Sequence, residues 1–254
     1  MRVTIPFLAM LLVAAATATA APVQFEDTIA QRTLACTACH GREGRAGPDG
    51  YYPRLAGKPQ GYLYNQLLNF REGRRHYGLM SALLDPLSDA YLYEIAHYFA
   101  SLDLPYPPSR PGTDPAEVME RGRALALHGD PARQLPACVS CHGKTLTGVQ
   151  PNFPGLLGLS RDYLNAQLGA WRTGQRRAHV PDCMAEIARR LEPEDLGAVT
   201  AFLAAEALPR DPKPAAAAVA AAPAKHKGRK AVPAEASAPA MRCGSAVAPA
   251  GSRP

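Results

Sequence analysis

Long apolar segments are scarce in this chain. The apolar run near the N-terminus, Ile5 to Ala16, is too short to span a bilayer, and no later segment approaches the ~20 apolar residues of a transmembrane helix. Segments that alternate apolar and polar residues are also missing, which argues against a sheet protein. The chain has no phosphate-binding glycine loop, no dinucleotide fingerprint and no serine–histidine–aspartate set. We therefore expect an all-α protein that is not an enzyme.

Residues 1–20 have the pattern of an export signal. Arg2 supplies the positive start, the short apolar run follows, and Ala18-Thr19-Ala20 forms a small-residue cleavage site. A retained membrane anchor is the alternative, and the shortness of the apolar run argues against it. We expect a mature protein that is soluble in the bacterial periplasm.

Residues 1–208 carry no net charge. The net charge is +6, but residues from Pro209 onward hold eight basic and two acidic side chains, which accounts for the whole excess. The basic balance is therefore no argument for nucleic-acid binding, and we expect none. The tail is rich in Ala, Pro and Lys, which predicts disorder. It is either a basic tether to an acidic partner or a membrane surface, or a neutral linker.

One pentapeptide pattern, Cys-x-x-Cys-His, occurs twice. The first copy places Cys36, Cys39 and His40 together, and the second places Cys138, Cys141 and His142 together. Two thiols one helical turn apart reach the two vinyl groups of one porphyrin, and the next His lies beneath the iron. A zinc site or a redox dithiol would leave both histidines unexplained. The sequence predicts two covalently bound haem c groups.

The surroundings of the two motifs repeat with an offset of about 101–104 residues. Each motif is followed by a Gly/Pro-rich loop and then by a helix, predicted over residues 62–73 and 163–174. Gly73 and Gly174 are expected to end these helices. A last amphipathic helix is predicted to begin near Ser88 in the first copy and near Glu192 in the second.

The repeat gives the predicted domain organisation. A signal peptide (1–20) precedes an N-terminal cytochrome c domain (21–104) and a Pro-rich linker (105–112). A C-terminal cytochrome c domain (113–208) and the disordered tail (209–254) follow. Each domain is expected to fold around its haem, because about 100 residues bury little apolar surface alone.

The sixth iron ligands decide between an electron carrier and an enzyme. Met80 and Met184 follow their motif histidines at similar distances, each just before the last helix, and are predicted to ligate the first and second iron. His76 and His179 are nearby alternatives. Cys183 is a further alternative for the second iron. A thiolate ligand there would lower the reduction potential of the second haem.

Several other residues are expected around the haems. The carbonyls of Pro53 and Pro154 are predicted to accept hydrogen bonds from the two motif imidazoles. Four arginines are candidates for pairing with haem propionates, and three aromatic residues are candidates for pocket packing: Arg74, Arg75, Arg176, Arg177, Tyr62, Tyr163 and Trp171. Cys183 and Cys243 are left over and could pair, but because Cys243 lies in the tail we expect no framework disulfide, and Cys243 is a candidate for an intermolecular bond.

These motifs resemble the dihaem cytochromes c of the cytochrome c4 type, over about residues 25–207. The resemblance rests on both Cys-x-x-Cys-His-Gly motifs, the Pro-x-Leu-x-Gly loops, the Tyr-Leu-x-x-Gln-Leu helices and the late Met of each half. It implies two tandem class I domains with His/Met-ligated haems and propionates near the interface.

The resemblance also implies a function and partners. The expected function is electron transfer from a quinol-oxidising complex or another respiratory donor to a terminal oxidase or reductase. The alternative is the cytochrome subunit of a periplasmic dehydrogenase, such as a sulfide-oxidising flavocytochrome. A haem enzyme with an open or Cys-ligated second iron is the third reading.

Overall fold

The computed structural model describes residues 26–48, 50–109, 111–217 and 242–246. The predicted signal peptide at residues 1–20 lies outside the described residues, as do residues 218–241 and 247–254 of the predicted tail. Within the described part of the chain, no helix is both long and apolar enough to cross a membrane.

The first domain contains five helices in chain order. They are α1 (Ile29–Arg32), α2 (Leu34–His40), α3 (Gln60–Arg71), α4 (Gly78–Leu84) and α5 (Asp89–Ser101). A short 3-10 turn, Arg42–Gly44, follows α2 directly. The first Cys-x-x-Cys-His motif therefore ends α2, and Met80 lies in α4.

The second domain repeats this order. Its helices are α6 (Ala116–His128), α7 (Val139–His142), α8 (Arg161–Arg172), α9 (Cys183–Arg190) and α10 (Pro193–Ala205). A 3-10 turn, Pro131–Arg133, precedes α7, and the two-residue strands β1 (Gly148–Val149) and β2 (Phe153–Pro154) pair antiparallel after it. The expectation of two tandem all-α domains is confirmed, with this small hairpin added.

Local capping explains where the helices start and stop. Ser88 precedes α5, and its hydroxyl accepts a 3.3 Å hydrogen bond from the first turn. Glu192 and Asp195 form a capping box at the start of α10. Gly73 and Gly174 follow α3 and α8 with φ of 70° and 75°, a left-handed conformation that favours glycine. The predicted starts of α5 and α10 and the predicted stops of α3 and α8 are confirmed, whereas α3 and α8 begin two residues earlier than predicted.

Each domain has its own apolar core. In the first, α3 packs on α5, where Leu92 and Phe99 are almost completely buried. In the second, α6 crosses α10 in backbone contact. A Cβ added at Gly122 would lie 2.1 Å from the carbonyl oxygen of Ala198, which only glycine avoids. Two cores agree with the duplication seen in the sequence.

A buried carboxylate joins α10 to α6 and to the 3-10 turn at Pro131–Arg133. The side chain of Asp195 in α10 is fully buried. It accepts hydrogen bonds from Arg121 of α6 at 2.6 Å and from Arg133 at 2.5 Å. Burial alone would raise the pKa of Asp195, but the bonds from the two arginines outweigh burial and hold the pKa below its usual value.

The segment between the domains packs against the first domain. The guanidinium of Arg54 is buried and donates to the carbonyls of Leu104 at 2.5 Å and Pro105 at 3.1 Å. It also lies 3.9 Å from the centre of the Tyr106 ring. These contacts hold the start of the predicted linker in an irregular, ordered path.

The first residues of the predicted tail are ordered, which differs from our expectation of disorder. Ala215 pairs with the hairpin: its N–H donates to the Gly148 carbonyl at 2.9 Å, and its carbonyl accepts from the Gln150 N–H at 2.8 Å. The Thr147 hydroxyl donates to the Lys213 carbonyl at 3.1 Å. Composition favoured disorder, but the unpaired edge of β1 satisfies the backbone groups of this segment.

The expectation of no disulfide is wrong. Cys183 and Cys243 form a disulfide with a Cα–Cα distance of 5.5 Å, and residues 242–246 lie against the folded domains. The two cysteines are 60 residues apart in sequence, so only the tertiary structure brings them together.

Candidate haem sites

The first motif residues lie at the end of α2. Burial raises the pKa of the Cys36 thiol. The His40 ring is buried, and its Nδ1–H donates a 2.8 Å hydrogen bond to the Pro53 carbonyl. This bond fixes the tautomer and leaves Nε2 free to ligate a metal. Burial also lowers the pKa of His40 and outweighs the hydrogen bond to the Pro53 carbonyl, which raises it. The net effect favours the neutral imidazole.

The second motif has the same geometry. The His142 Nδ1–H donates to the Pro154 carbonyl at 2.7 Å, and burial lowers the pKa of His142. Burial raises the pKa of Cys138 to about 11 and also raises that of Cys141. The predicted hydrogen bonds to the two proline carbonyls are confirmed.

The side chains around the two motifs do not favour the hypothesis of a zinc site. Structural zinc sites gather four ligands with thiolate sulfur. The described residues contain no group of three or more His, Cys, Asp or Glu side chains that could hold a metal ion. The geometry instead suits one imidazole ligand and two uncharged sulfur attachments per site.

A cavity in the first domain brings the predicted ligands together. Its volume is about 650 Å³, within the range of roughly 300–1,000 Å³ that is typical of cofactor sites. Cys36, Cys39 and His40 line one part of it, and Met80 lines it as well. His76, the alternative ligand, also borders this cavity but is exposed. The mostly apolar wall fits a porphyrin.

The second ligand set lies with the second core. Met184, in the first turn of α9, packs against that core together with Cys138 and Trp171. The Trp171 Nε1–H is buried and has no hydrogen-bond partner among the described residues. An unpaired buried donor beside the motif fits an acceptor group of a bound haem.

The two alternative ligands for the second iron make other contacts in the structure. Cys183 is in a disulfide and therefore presents no thiolate. The His179 Nε2 faces the guanidinium of Arg74 at 3.1 Å, across the domain boundary. Both groups are engaged elsewhere, whereas the Met184 side chain faces the core that contains Cys138.

Two arginines meet where the domains face each other. Arg75 and Arg176 form an isolated antiparallel bridge and are related by the 101-residue repeat offset. Arg75 donates to Gln66 at 3.1 Å and Gln167 at 2.8 Å, and Arg176 donates to the same two glutamines at 3.0 and 2.7 Å. The duplicated sequence thus builds a pseudo-symmetric interface from equivalent residues of both domains.

Aromatic rings cover this interface on both sides. The Arg75 guanidinium lies 4.4 Å from the centre of the Phe70 ring, and that of Arg176 lies 3.7 Å from the Trp171 ring. Tyr62 and Tyr163, the expected pocket aromatics, line the cavity. The repeated aromatic and arginine positions therefore serve the domain boundary as well as the pocket.

Three cations at this boundary lack an anionic partner. Arg176 is only 4% exposed and Lys58 only 7%, and Arg75 is half-buried; all three border the cavity. Among the described residues, no carboxylate forms an ion pair with any of them, whereas Arg74 pairs with Glu72. Buried charges are costly unless they are paired. The cluster therefore fits an anionic group, as haem propionates are.

Some of these residues were not predicted from the sequence. Lys58 was missed because a single lysine in a loop carries no signal of burial. Gln66 and Gln167 stand at repeated positions in the sequence, but their pairing with two arginines depends on how the domains meet. Of the four arginines, Arg75 and Arg176 face the cavity, whereas Arg177 is exposed.

No protein-family model matches the chain. The thiosulfate dehydrogenase electron acceptor of Thiomonas intermedia is 40% identical over 174 residues, which cover 68% of this chain and 79% of that protein. Cytochrome c4 of Pseudomonas aeruginosa is 33% identical over 174 residues, which cover 68% of this chain and 84% of that protein.

Solved structures give the same fold. Reduced cytochrome c4 from Pseudomonas stutzeri superposes with a TM-score of 0.58 at 30% identity, covering 68% of this chain and 94% of that one. A thiosulfate dehydrogenase (TsdBA) from Marichromatium purpuratum matches with a TM-score of 0.59 at 36% identity. In that case 66% of this chain matches only 36% of the other. Because identity above 30% extends over most of the length of both curated relatives, the chain belongs to the cytochrome c4 family, electron-transfer proteins with two covalently bound haem c groups.

Proposed function

We propose that this protein is a periplasmic electron acceptor for a dehydrogenase and passes electrons on to the respiratory chain. The observation that carries the proposal is the pair of equivalent sites joined through one cationic interface. A bound haem c supplies one reversible electron at its iron. Two such sites at one boundary suit reception of an electron in one domain and its release from the other.

In the first domain, Cys36 and Cys39 attach the haem through thioether bonds, and His40 is the proximal ligand. The Pro53 carbonyl holds the imidazole in the tautomer that presents Nε2 to the iron. Met80, on the wall of the same cavity, is the sixth ligand. A thioether ligand closes the iron to small molecules, which suits a carrier rather than an enzyme.

In the second domain, Cys138 and Cys141 attach the haem, and His142 is the proximal ligand held by the Pro154 carbonyl. Met184 is the sixth ligand. Its support is its place in α9, at the position that corresponds to Met80 of α4, and its packing against the core that contains Cys138.

The arginines of the boundary position and neutralise the propionates. Arg75 and Arg176 are held in place by Gln66 and Gln167, so their planar guanidinium groups are oriented before an anion binds. Lys58 reaches the same cavity from the first domain and acts electrostatically on His142. Positive charge here favours the reduced state of a nearby iron.

The names of the relatives favour a dehydrogenase as electron donor. Two electron acceptors of thiosulfate dehydrogenases are 40% and 37% identical to this chain, whereas the cytochromes c4 are 30–33% identical. As the electron donor we therefore favour a thiosulfate-oxidising dehydrogenase over a quinol-oxidising complex or a sulfide-oxidising flavoprotein. The acceptor is a terminal oxidase or reductase. Residues 1–20 direct the chain to the periplasm, and the basic tail adds a weak attraction to acidic partners or membrane surfaces.

The ligand assignment is tested by the near-infrared band that methionine sulfur gives to ferric haem. Met80→Leu and Met184→Leu should each remove half of the band of the wild-type holoprotein. Met119→Leu, at a methionine of α6 whose side chain lies beside Gly112, is the matched control and should leave the band intact. Loss of the whole band in one variant, or none in either, would contradict the assignment.

The donor assignment is tested by reduction kinetics. Ferric protein is mixed with thiosulfate, with or without a catalytic amount of thiosulfate dehydrogenase, and the haem absorbance is followed. We expect rapid reduction of both haems only with the enzyme. Reduction by a sulfide-oxidising flavoprotein with sulfide, but not by the thiosulfate enzyme, would move the protein to the other dehydrogenase class.

A further inference from the structure

Residues 242–246 lie against both domains at their boundary. The side chain of Asn65, in α3 of the first domain, donates to the Ser245 carbonyl at 3.3 Å. The side chain of Asn152, in the second domain, donates to the Ala246 carbonyl at 2.8 Å. Both asparagines are buried. One short segment therefore receives hydrogen bonds from each domain.

The same segment packs on the loop that precedes α9. The Gly244 N–H donates to the Pro181 carbonyl at 2.9 Å. A Cβ at Gly244 would lie 2.3 Å from the Val180 carbonyl oxygen and 2.6 Å from that of His179. The segment is in direct backbone contact with this loop, and a larger residue than glycine would push it away.

A covalent bond fixes this contact at the second ligand position. Cys243 is joined to Cys183, which directly precedes Met184. Asp182 holds the same loop from inside: its carboxylate accepts from the Ala178 N–H at 2.7 Å and from the Ala185 N–H at 3.1 Å. The turn that presents Met184 is thus held by a cap on one side and a disulfide on the other.

The first domain has no corresponding device in its described residues. Leu79 stands directly before Met80, as Cys183 stands before Met184, and it is 67% exposed. The cysteines without a disulfide partner in the described residues all belong to the haem motifs. The first site can therefore serve as an internal control for the second.

We propose that the Cys183–Cys243 disulfide and residues 242–246 form an interdomain clip that positions the Met184 loop against the second haem. The part concerning Met184 rests on the ligand assignment proposed above. Cys183 and Cys243 act through Met184 and are positioning residues. The clip resists displacement of the second sixth ligand and holds the second domain against α3 of the first.

The first test compares displacement of the two methionine ligands. Imidazole is titrated into ferric holoprotein of full length while the near-infrared methionine band is followed. In Cys183→Ser/Cys243→Ser we expect half of the band to disappear at an imidazole concentration at least tenfold lower than in the wild type, the other half being unchanged. Cys183→Ser and Cys243→Ser alone should behave alike. An effect confined to Cys243→Ser would mean that the freed Cys183 thiol reaches the iron, and would overturn the clip.

The second test does not depend on which residue ligates the iron. Amide hydrogen exchange of the double variant should rise at least tenfold over residues 178–185 and 61–66, and should not change over residues 78–84. Gly244→Val keeps both cysteines and should have the same effect by displacing the segment. It also replaces the double variant if that does not fold. If the wild type lacks a second methionine band, the assignment of Met184 as ligand fails, but the clip can still be tested by hydrogen exchange. Unchanged amide exchange in these variants would refute the clip.

Discussion

The buried carboxylate of Asp195 offers a sharp test of how the second domain is held together. Asp195→Asn keeps the size of the side chain and removes its charge. The amide then presents a donor to an arginine that already donates. We expect a large loss in the free energy of unfolding of the second domain and little change in the first.

The magnitude follows from burial. Asp195 is fully buried, while Arg121 and Arg133 are 53% and 32% exposed. Hydrogen bonds that involve charged groups contribute about 1.5–3 kcal/mol each, and breaking a buried pair costs about 3–5 kcal/mol. Because both arginines can return to water in the variant, we expect the lower end of that range, about 3 kcal/mol.

The effect depends on pH in a defined direction. The pKa of Asp195 is lower in the folded protein than its usual value of about 3.9. The ionised carboxylate therefore stabilises the fold fully above that usual value, and the contribution is lost as pH falls through the lowered pKa. The difference between wild type and variant should be constant from about pH 7 to pH 5 and should shrink below about pH 4.

The measurement uses urea unfolding of the holoprotein followed by tryptophan fluorescence. Trp171 is the only tryptophan in the chain and lies in α8, so it reports on the second domain. Glu186→Gln is the matched control in the same domain: Glu186 contacts Arg190 at 2.7 Å within α9 but is 49% exposed, so its loss should cost under about 1 kcal/mol. Equal costs for the two variants, or a difference that persists undiminished at pH 3, would refute the reasoning.

Three further predictions follow from packing, the disulfide and charge. Gly122→Ala should destabilise the second domain by about 3 kcal/mol, because the new Cβ meets a carbonyl oxygen of α10. Gly197→Ala has open space around the new Cβ and should stabilise α10 by about 1 kcal/mol. Urea unfolding measures both changes. Cys183→Ser/Cys243→Ser should lower the unfolding free energy of the second domain by about 4 kcal/mol, since the disulfide closes a loop of 60 residues; a loss below about 1 kcal/mol would contradict this entropic origin. Lys58→Gln should make haem reduction less favourable by an amount on the order of 1 kcal/mol, because Lys58 borders the cavity that contains His40 and also acts electrostatically on His142. Redox titration measures the effect, and unchanged potentials at both haems would contradict it.

Much of the fold was predictable because its signals are local. Each helix start and stop depends on a few neighbouring residues, such as the Ser88 hydroxyl or the glycines after α3 and α8. The tail was harder to predict. Its first residues are ordered only because the edge of a two-residue strand accepts them, and composition contains no information about that strand.

The sequence by itself determined the two haem attachment motifs, the duplication, the helical class and the proline carbonyls behind the histidines. Each of these is a matter of spacing within one short stretch, where covalent geometry and helix periodicity leave little freedom. The tertiary structure alone decided the pairing of Cys183 with Cys243, the burial of Lys58 and the meeting of Arg75 with Arg176. These contacts join residues 60 to more than 100 positions apart, and their formation depends on how two finished domains pack against each other.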